Sequence, residues 1–166
     1  MTGYGDVAGF VLVGGRSSRM GTDKALMKYH GLPLAGYIAN ELSRVAESVS
    51  LVGDRARYSG IGYPVLGGDY PGGGPVGGIV TALRASGSIW NIVTACDLPG
   101  VSAEFFGRLL DRTRRLDVQC VIPVTPDGRA QVLCAVRTDY WPLEAGEWSV
   151  NLNTPEDGIV HIRQEA

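Results

Sequence analysis

The sequence predicts an α/β domain with a mainly parallel sheet, and three of its features carry that expectation. Short apolar runs alternate with segments of helical spacing along the chain. The first run, Val7–Val13 (VAGFVLV), is apolar without alternation, as a strand covered on both faces has to be. The runs that read as central strands lead into glycine-rich or acidic loops.

Val7–Val13 is the first strand, placed near the centre of the sheet. Lys24–Tyr29 is short and ends at a turn, His30-Gly31. Leu34–Val45 is a helix, because Leu34, Tyr37, Ile38, Leu42 and Val45 fall on one largely apolar face. Ser48–Val52 is a second strand that stops at Gly53-Asp54, and Tyr63–Leu66 is a third, short one. Gly67–Gly78 holds seven glycines and two prolines in twelve positions, so it is expected to be neither helix nor central strand. Ile79–Arg84 then reads as a helix, with Val76 to Gly78 at its start. Ile89–Ala95 is a strand that runs into Cys96-Asp97-Leu98-Pro99. Ser102 is a good N-cap for a helix that turns Phe105, Phe106, Leu109, Leu110 and Leu116 inward and Arg108, Arg112, Arg114 and Arg115 outward. Those arginines read as a solvated face, with a binding patch as the alternative. Val118–Val124 and Ala130–Val136 are strands that pair as a hairpin around Pro126-Asp127-Gly128. Thr154 and Pro155 have the chemistry of a helix cap and first helical position. His30 at a turn and His161 among alternating apolar residues attract no chemical role and are placed at the surface or an edge.

Composition narrows the function. The 166 residues suit one domain, 1–166, with a sizeable core. Hydrophobic residues at 45% and charged residues at 19% exclude a disordered chain. A formal net charge of −2 provides no basic field to recruit nucleic acid, so any anion site has to be local. Cys96, Cys120 and Cys134 are too widely spaced for a disulfide framework or a zinc site and are expected as buried free thiols in a reducing cytoplasm. Residues 1–6 lack the basic and apolar regions of a signal peptide, and no apolar run approaches 18 residues, so neither a leader nor a membrane span is expected.

The stretch from Gly14 to Lys24 (GGRSSRMGTDK) follows the first strand and is the best candidate for chemistry. Three glycines, two arginines, two serines and a closing lysine are poor core material and good material for wrapping a polyphosphate. Glycines let backbone N–H groups approach oxygens, successive N–H groups form an anion-binding concavity, and Arg16, Arg19 and Lys24 add positive charge. A solvated basic loop is the plain alternative. The stretch has neither the Gly-Lys-Ser/Thr of a Walker A loop nor Gly-x-Gly-x-x-Gly. The second glycine-rich loop holds a single acid, Asp69, beside Tyr70 and opens a helix, where free N–H groups can hold an anion; a flexible linker is the alternative. Asp69 suits the edge of guanine, since a carboxylate accepts from both N1–H and the N2 amine, and it equally suits ribose hydroxyls. Asp97 is aimed at the carboxyl edge of the sheet, where open α/β sheets bind ligands. It is the candidate Mg2+ ligand, because that ion takes one or two carboxylates together with substrate phosphates and water. Capping the following turn is its alternative role.

In this spacing, Gly14, Gly15, Ser17, Arg19, Met20, Gly21, Asp23 and Lys24 resemble the signature of nucleotidyltransferases that activate a phosphorylated acceptor with an NTP, and among them the molybdenum cofactor guanylyltransferases. The resemblance continues through Asp69-Tyr70-Pro71-Gly72, then Gly74, Pro75 and Gly78, Cys96-Asp97-Leu98-Pro99, and Asn151 with Asn153-Thr154-Pro155-Glu156, and so covers most of the chain. It implies a Rossmann-like three-layer α/β/α fold of the nucleotidyltransferase type. It implies transfer of GMP from GTP to the terminal phosphate of molybdenum-bound molybdopterin, with release of pyrophosphate and use of Mg2+. Carried onto this chain, the backbone of Leu12, Val13, Gly14 and Gly15, with Lys24, Val52, Asp69 and Asp97, would bind the nucleotide. Arg19, Lys24 and Asp97 would be catalytic, Asp97 holding the metal. Asn151 and Asn153 would bind the acceptor, with Asn153 also placed to serve as a further metal ligand. GTP and a molybdopterin-type cofactor would be the substrates, with transient contact to molybdenum insertion or delivery proteins and no nucleic acid or membrane partner.

Two departures from the family pattern qualify the expectation. Val52 stands where that pattern has an asparagine near the base, which keeps open CTP with the same pterin, or a sugar or lactyl phosphate as acceptor. A non-catalytic nucleotide- or cofactor-binding module is the alternative from another class, and intact Arg19, Lys24 and Asp97 argue against it. Between Arg137 and Asn151 the pattern has a helix, a linker and a strand, whereas thirteen residues, Thr138 to Val150, stand here. Either the interval is a trimmed variant with a more open acceptor side or residues are absent from it, and the latter is expected, with joins near Leu143 and Val150.

Overall fold

Val7–Leu12 (β1) has no solvent-facing side, since Val7 and Val11 are fully buried and Ala8 and Phe10 nearly so. The computed structural model describes residues 5–14, 21–68, 73–116, 118–124 and 129–138, and the backbone of 159–163. After β1 come a 3-10 turn at Lys24–Leu26 and a small hairpin of β2 (Lys28–Tyr29) and β3 (Leu32–Pro33). His30 and Gly31 form its turn, both at positive φ, 48° and 82°. Then follow α1 (Leu34–Leu42), β4 (Ser48–Val52), α2 (Arg55–Tyr58), β5 (Val65–Leu66), α3 (Gly74–Ala85), β6 (Trp90–Ala95), α4 (Ala103–Leu116), β7 (Cys120–Val124), β8 (Leu133–Arg137) and β9 (Ile159–Arg163).

Among the described residues the main sheet has seven strands in the order β5-β4-β1-β6-β8-β7-β9. All are parallel except β8, which runs against both its neighbours. The sheet is therefore mainly parallel, as expected, and β7 and β8 form the expected antiparallel pair, with Val124 and Ala130 bridged at its turn end. One face buries Val7 and Val11 with Ile38 and Leu42 of α1 and Phe106 and Leu110 of α4. The other buries Ala8 and Phe10 with Ile79, Val80 and Leu83 of α3. This is the three-layer α/β/α arrangement. Helices α1 and α4 are tied directly, because Glu41 accepts a hydrogen bond (2.8 Å) from the Ala103 N–H at the start of α4. Ser102 caps α4 as expected, its Oγ accepting from Phe105 N–H. All three cysteines are free and buried. No helix among the described residues is long and apolar enough to cross a membrane.

Three local expectations are corrected. Helix α3 begins at Gly74, so the end of the Gly67–Gly78 stretch is helical. The sheet overrides the low helix propensity of those glycines, since α3 lies so close to β1 that a Cβ on Gly78 would sit 2.8 Å from Leu12 Cδ2. Pro75 falls in the first turn, where its missing N–H costs nothing. Leu116, expected inward, is exposed at the last position of α4, and Thr113 fills the buried face by donating its hydroxyl hydrogen to Leu109 O. Helix α1 ends at Leu42 rather than Val45, with Val45 and Ala46 N–H groups both donating to Leu42 O in a closing turn. The Arg137–Asn151 interval, the turn at Pro126-Asp127-Gly128 and the Thr154-Pro155 helix start lie outside the described residues.

Gly9 lets α1 seat on β1, as a Cβ there would meet Leu42 Cγ at 2.5 Å. Leu42 is fully buried and has no room to yield. Gly9→Ala should lower stability by about 1–3 kcal/mol, read as a reduced urea midpoint with an unchanged m-value; an unaltered midpoint would refute this close seating.

Candidate functional site

The chain leaves β1 toward β4 and β5 and then returns to the opposite flank of β1 as β6. Such a reversal opens a crevice outside the carboxyl ends of the two diverging strands. The register brings those ends level, since Leu12 lies opposite Val52 on one side and Ala95 on the other. Val13, Gly53 and Cys96 therefore leave the sheet together. Val13 N–H donates to Val52 O (2.9 Å) and Cys96 N–H to Leu12 O (3.2 Å), which ties the three exits into one rim. Gly14 turns away at φ +92°.

Lys24 returns to this rim on the 3-10 turn, and Asp23 holds it there. One Asp23 oxygen accepts from Ala25 N–H (3.1 Å), capping the turn. The other accepts from Tyr58 Oη–H (2.9 Å) and pairs with Arg57 Nε at 2.6 Å. Arg57 and Tyr58 come from α2, whose start Asp54 fixes by accepting from Ala56 and Arg57 N–H groups. Sequence reasoning quoted Asp23 only as part of a motif and missed Arg57 and Tyr58. Their signal was the Gly53-Asp54 pair itself, an N-cap placed directly behind a strand.

Asp97 stands on the other side of the crevice, one residue beyond the rim, with its side chain exposed. Among the described residues no hydrogen bond or ion pair occupies its carboxylate. Beyond it a pocket of 330 Å³ opens toward β7 and β8, lined by Leu98, Val101, Phe105, Val124 and Gln131 among others. Cys96, between these groups, is buried. Burial pushes its thiol up to about 11, the Asp97 and Asp23 carboxylates add to the rise and Lys24 opposes it. No cluster of three or more His, Cys, Asp or Glu side chains exists among the described residues. An accessible single carboxylate at the carboxyl edge of the sheet fits a divalent cation held partly by substrate and water.

Of the sequence-predicted site residues, the structure brings Leu12, Val13, Gly14, Lys24 and Asp97 to one edge. Val52 is there too, yet its side chain is only 4% exposed and packs against the α3 side of the sheet, so it presents no side chain to a base. The parallel register turns its side chain inward beside Leu12. Gly15, Arg19, Asp69, Asn151 and Asn153 lie outside the described residues.

A reversed parallel sheet with a glycine turn, a lysine on a capped turn and an open carboxylate at its carboxyl edge defines the class of α/β proteins that bind ligands at that edge. The family model described as the MobA-like NTP transferase domain matches residues 9–149, and this chain belongs to that family. It is 35% identical over 132 residues to the molybdenum cofactor guanylyltransferase of Cupriavidus taiwanensis, covering 76% of this chain and 66% of that one. It is likewise 35% identical over 132 residues to the protein of the same name from Cupriavidus metallidurans, covering 76% and 65%. The chain thus spans about two thirds of the length of these curated relatives. The fold is similar to that of molybdopterin-guanine dinucleotide biosynthesis protein A from Archaeoglobus fulgidus, with a TM-score of 0.72 at 20% identity over 94% of this chain and 83% of that one.

The Tyr58 phenol is pushed up to about 12, first by burial and then by its hydrogen bond to, and the charge of, Asp23. Folding thus favours the protonated phenol, and its contribution to stability is present below pH 10 and lost as pH rises from about 10 through about 12. Tyr58→Phe should remove that part of the alkaline stability loss, measured by thermal unfolding across this window. Identical pH profiles for parent and variant would contradict the assignment.

Proposed function

We propose that the chain transfers GMP from GTP to the terminal phosphate of molybdenum-bound molybdopterin, releasing pyrophosphate. The observation that supports this reading is that Lys24 and Asp97 both lie near enough to Cys96, at the carboxyl end of β6, to act on its thiol, in a member of the MobA-like NTP transferase family. The names of the relatives support the choice of GTP and of a molybdopterin acceptor.

In the proposed reaction an acceptor phosphate oxygen attacks the α-phosphorus of GTP in line. The new P–O bond forms as the bond from that phosphorus to the α–β bridging oxygen breaks. The acceptor monoester is already ionised near neutral pH, with a second pKa of about 6, so no side chain has to remove a proton. Catalysis is then positioning and charge neutralisation. Gly14 and Gly15 bring backbone to the phosphates, Lys24 and Arg19 neutralise the charge that builds on the leaving pyrophosphate, and Asp69 takes the guanine edge or the ribose. Asp97 would hold Mg2+, which supplies further charge neutralisation at the phosphates when bound. The pocket beyond Asp97 receives the acceptor side, with Asn151 and Asn153 assigned to its phosphate. Molybdenum insertion or delivery proteins would be transient partners.

Pyrophosphate release, measured with Mg2+ and each NTP in turn, should occur with GTP only when molybdenum-loaded molybdopterin is present. Asp97→Ala and Lys24→Ala should each slow it by about 100-fold or more. Release with CTP would keep the mechanism and move the base preference. Nucleotide binding without release would establish a non-catalytic module instead.

A further inference from the structure

Tyr58 is 1% exposed and lies beneath the rim of the crevice. Its hydroxyl meets both ends of the 14–24 stretch. A Cβ placed on Gly14 would lie 3.4 Å from Tyr58 Oη, so the hydroxyl lies on the side of Gly14 from which a side chain would project. The same hydroxyl donates to Asp23 Oδ2 at 2.9 Å, immediately before Lys24. Asp23 spends its other oxygen on Ala25 N–H, which makes the turn that carries Lys24. Arg57, the neighbour of Tyr58 on α2, balances the Asp23 charge at 2.6 Å. One buried phenol thus lies near the start of the stretch and, through one carboxylate, sets the backbone of its closing lysine.

We propose that Tyr58, acting through Asp23, is the positioning residue that holds Lys24 at the crevice and joins the two ends of the 14–24 stretch. A buried Tyr hydroxyl needs a partner, and a core aromatic with no further duty could satisfy it on any nearby carbonyl. Here the partner is a carboxylate that also receives a guanidinium and a backbone N–H, each from a segment flanking the crevice. A carboxylate with three donors is held to a single geometry, so the turn after it has one orientation. The role rests on the nucleotide reading above only in what Lys24 is held for, and the holding itself can be measured without any substrate.

Tyr58→Phe keeps the ring and its packing and removes only the hydroxyl. In the variant, trypsin should cut the Lys24–Ala25 bond about 10-fold faster, while cutting after Arg108 and Arg112 on α4 stays at the parent rate. If the protein is the proposed transferase, kcat for pyrophosphate release should fall about 10-fold with little change in KM for GTP, since a misplaced cation weakens the transition state more than the bound substrate. Asp23→Asn should show the same two effects. The double variant should be no worse than the worse single one, because both remove one coupled unit. An unchanged Lys24–Ala25 cleavage rate in Tyr58→Phe would overturn the proposal, and so would a faster rate shared equally by the α4 sites. A parent protein that releases no pyrophosphate with any NTP overturns the transferase reading alone, and the cleavage comparison still decides the role of Tyr58.

Discussion

The site depends on one constraint, that β1 has a parallel partner on each edge and a helical layer on each face. A strand so enclosed has a single register open to it, because a slip of one residue would exchange Val7 and Val11 with Ala8 and Phe10 between two differently shaped helix layers. Burial of Val7, Val11 and Phe10, at about 1.5–3 kcal/mol for each large side chain, holds that register. The level ends of β4, β1 and β6 follow from it, and with them the common rim from which Gly14, Gly53 and Asp97 depart. Gly9 and Gly78 serve the same end, admitting α1 on one face and α3 on the other close to the strand.

Two carboxylates stand at this rim and differ in what surrounds them. Asp23 is nearly buried and receives a phenol, a guanidinium and a backbone N–H. Both its oxygens accept from protein donors, so it acts on structure. Asp97 is exposed and, among the described residues, receives none. An acid left open beside a basic turn in a chain of net charge −2 can be neutralised by a cation arriving with a polyphosphate.

Much of the fold could be read in advance because its signals are local and strong. The unbroken apolar run of β1, the Ser102 cap of α4 and the His30-Gly31 turn each depend on residues adjacent in sequence. The errors fall where a distant surface decides. Gly74 to Gly78 have poor helix propensity, and the flat face offered by β1, β4 and β6 is what makes them helical. Leu116 looked inward by spacing, but α4 has already run past the sheet at its last residue, so water is its neighbour.

The sequence by itself determined the alternation of strand and helix, the class of chemistry available to the Gly14–Lys24 stretch, and the resemblance that the family match bears out. Those follow from residue type and short spacing, which sequence displays directly. The tertiary structure decided that Asp97 and Lys24 both come close to Cys96, that β8 runs against its neighbours, and that Tyr58 and Arg57 reach Asp23 across 35 and 34 positions of chain. A hydrogen bond forms between atoms close in space. Only the stacking of β4 beside β1, with α2 carried over the rim, brings a phenol at position 58 to a carboxylate at position 23.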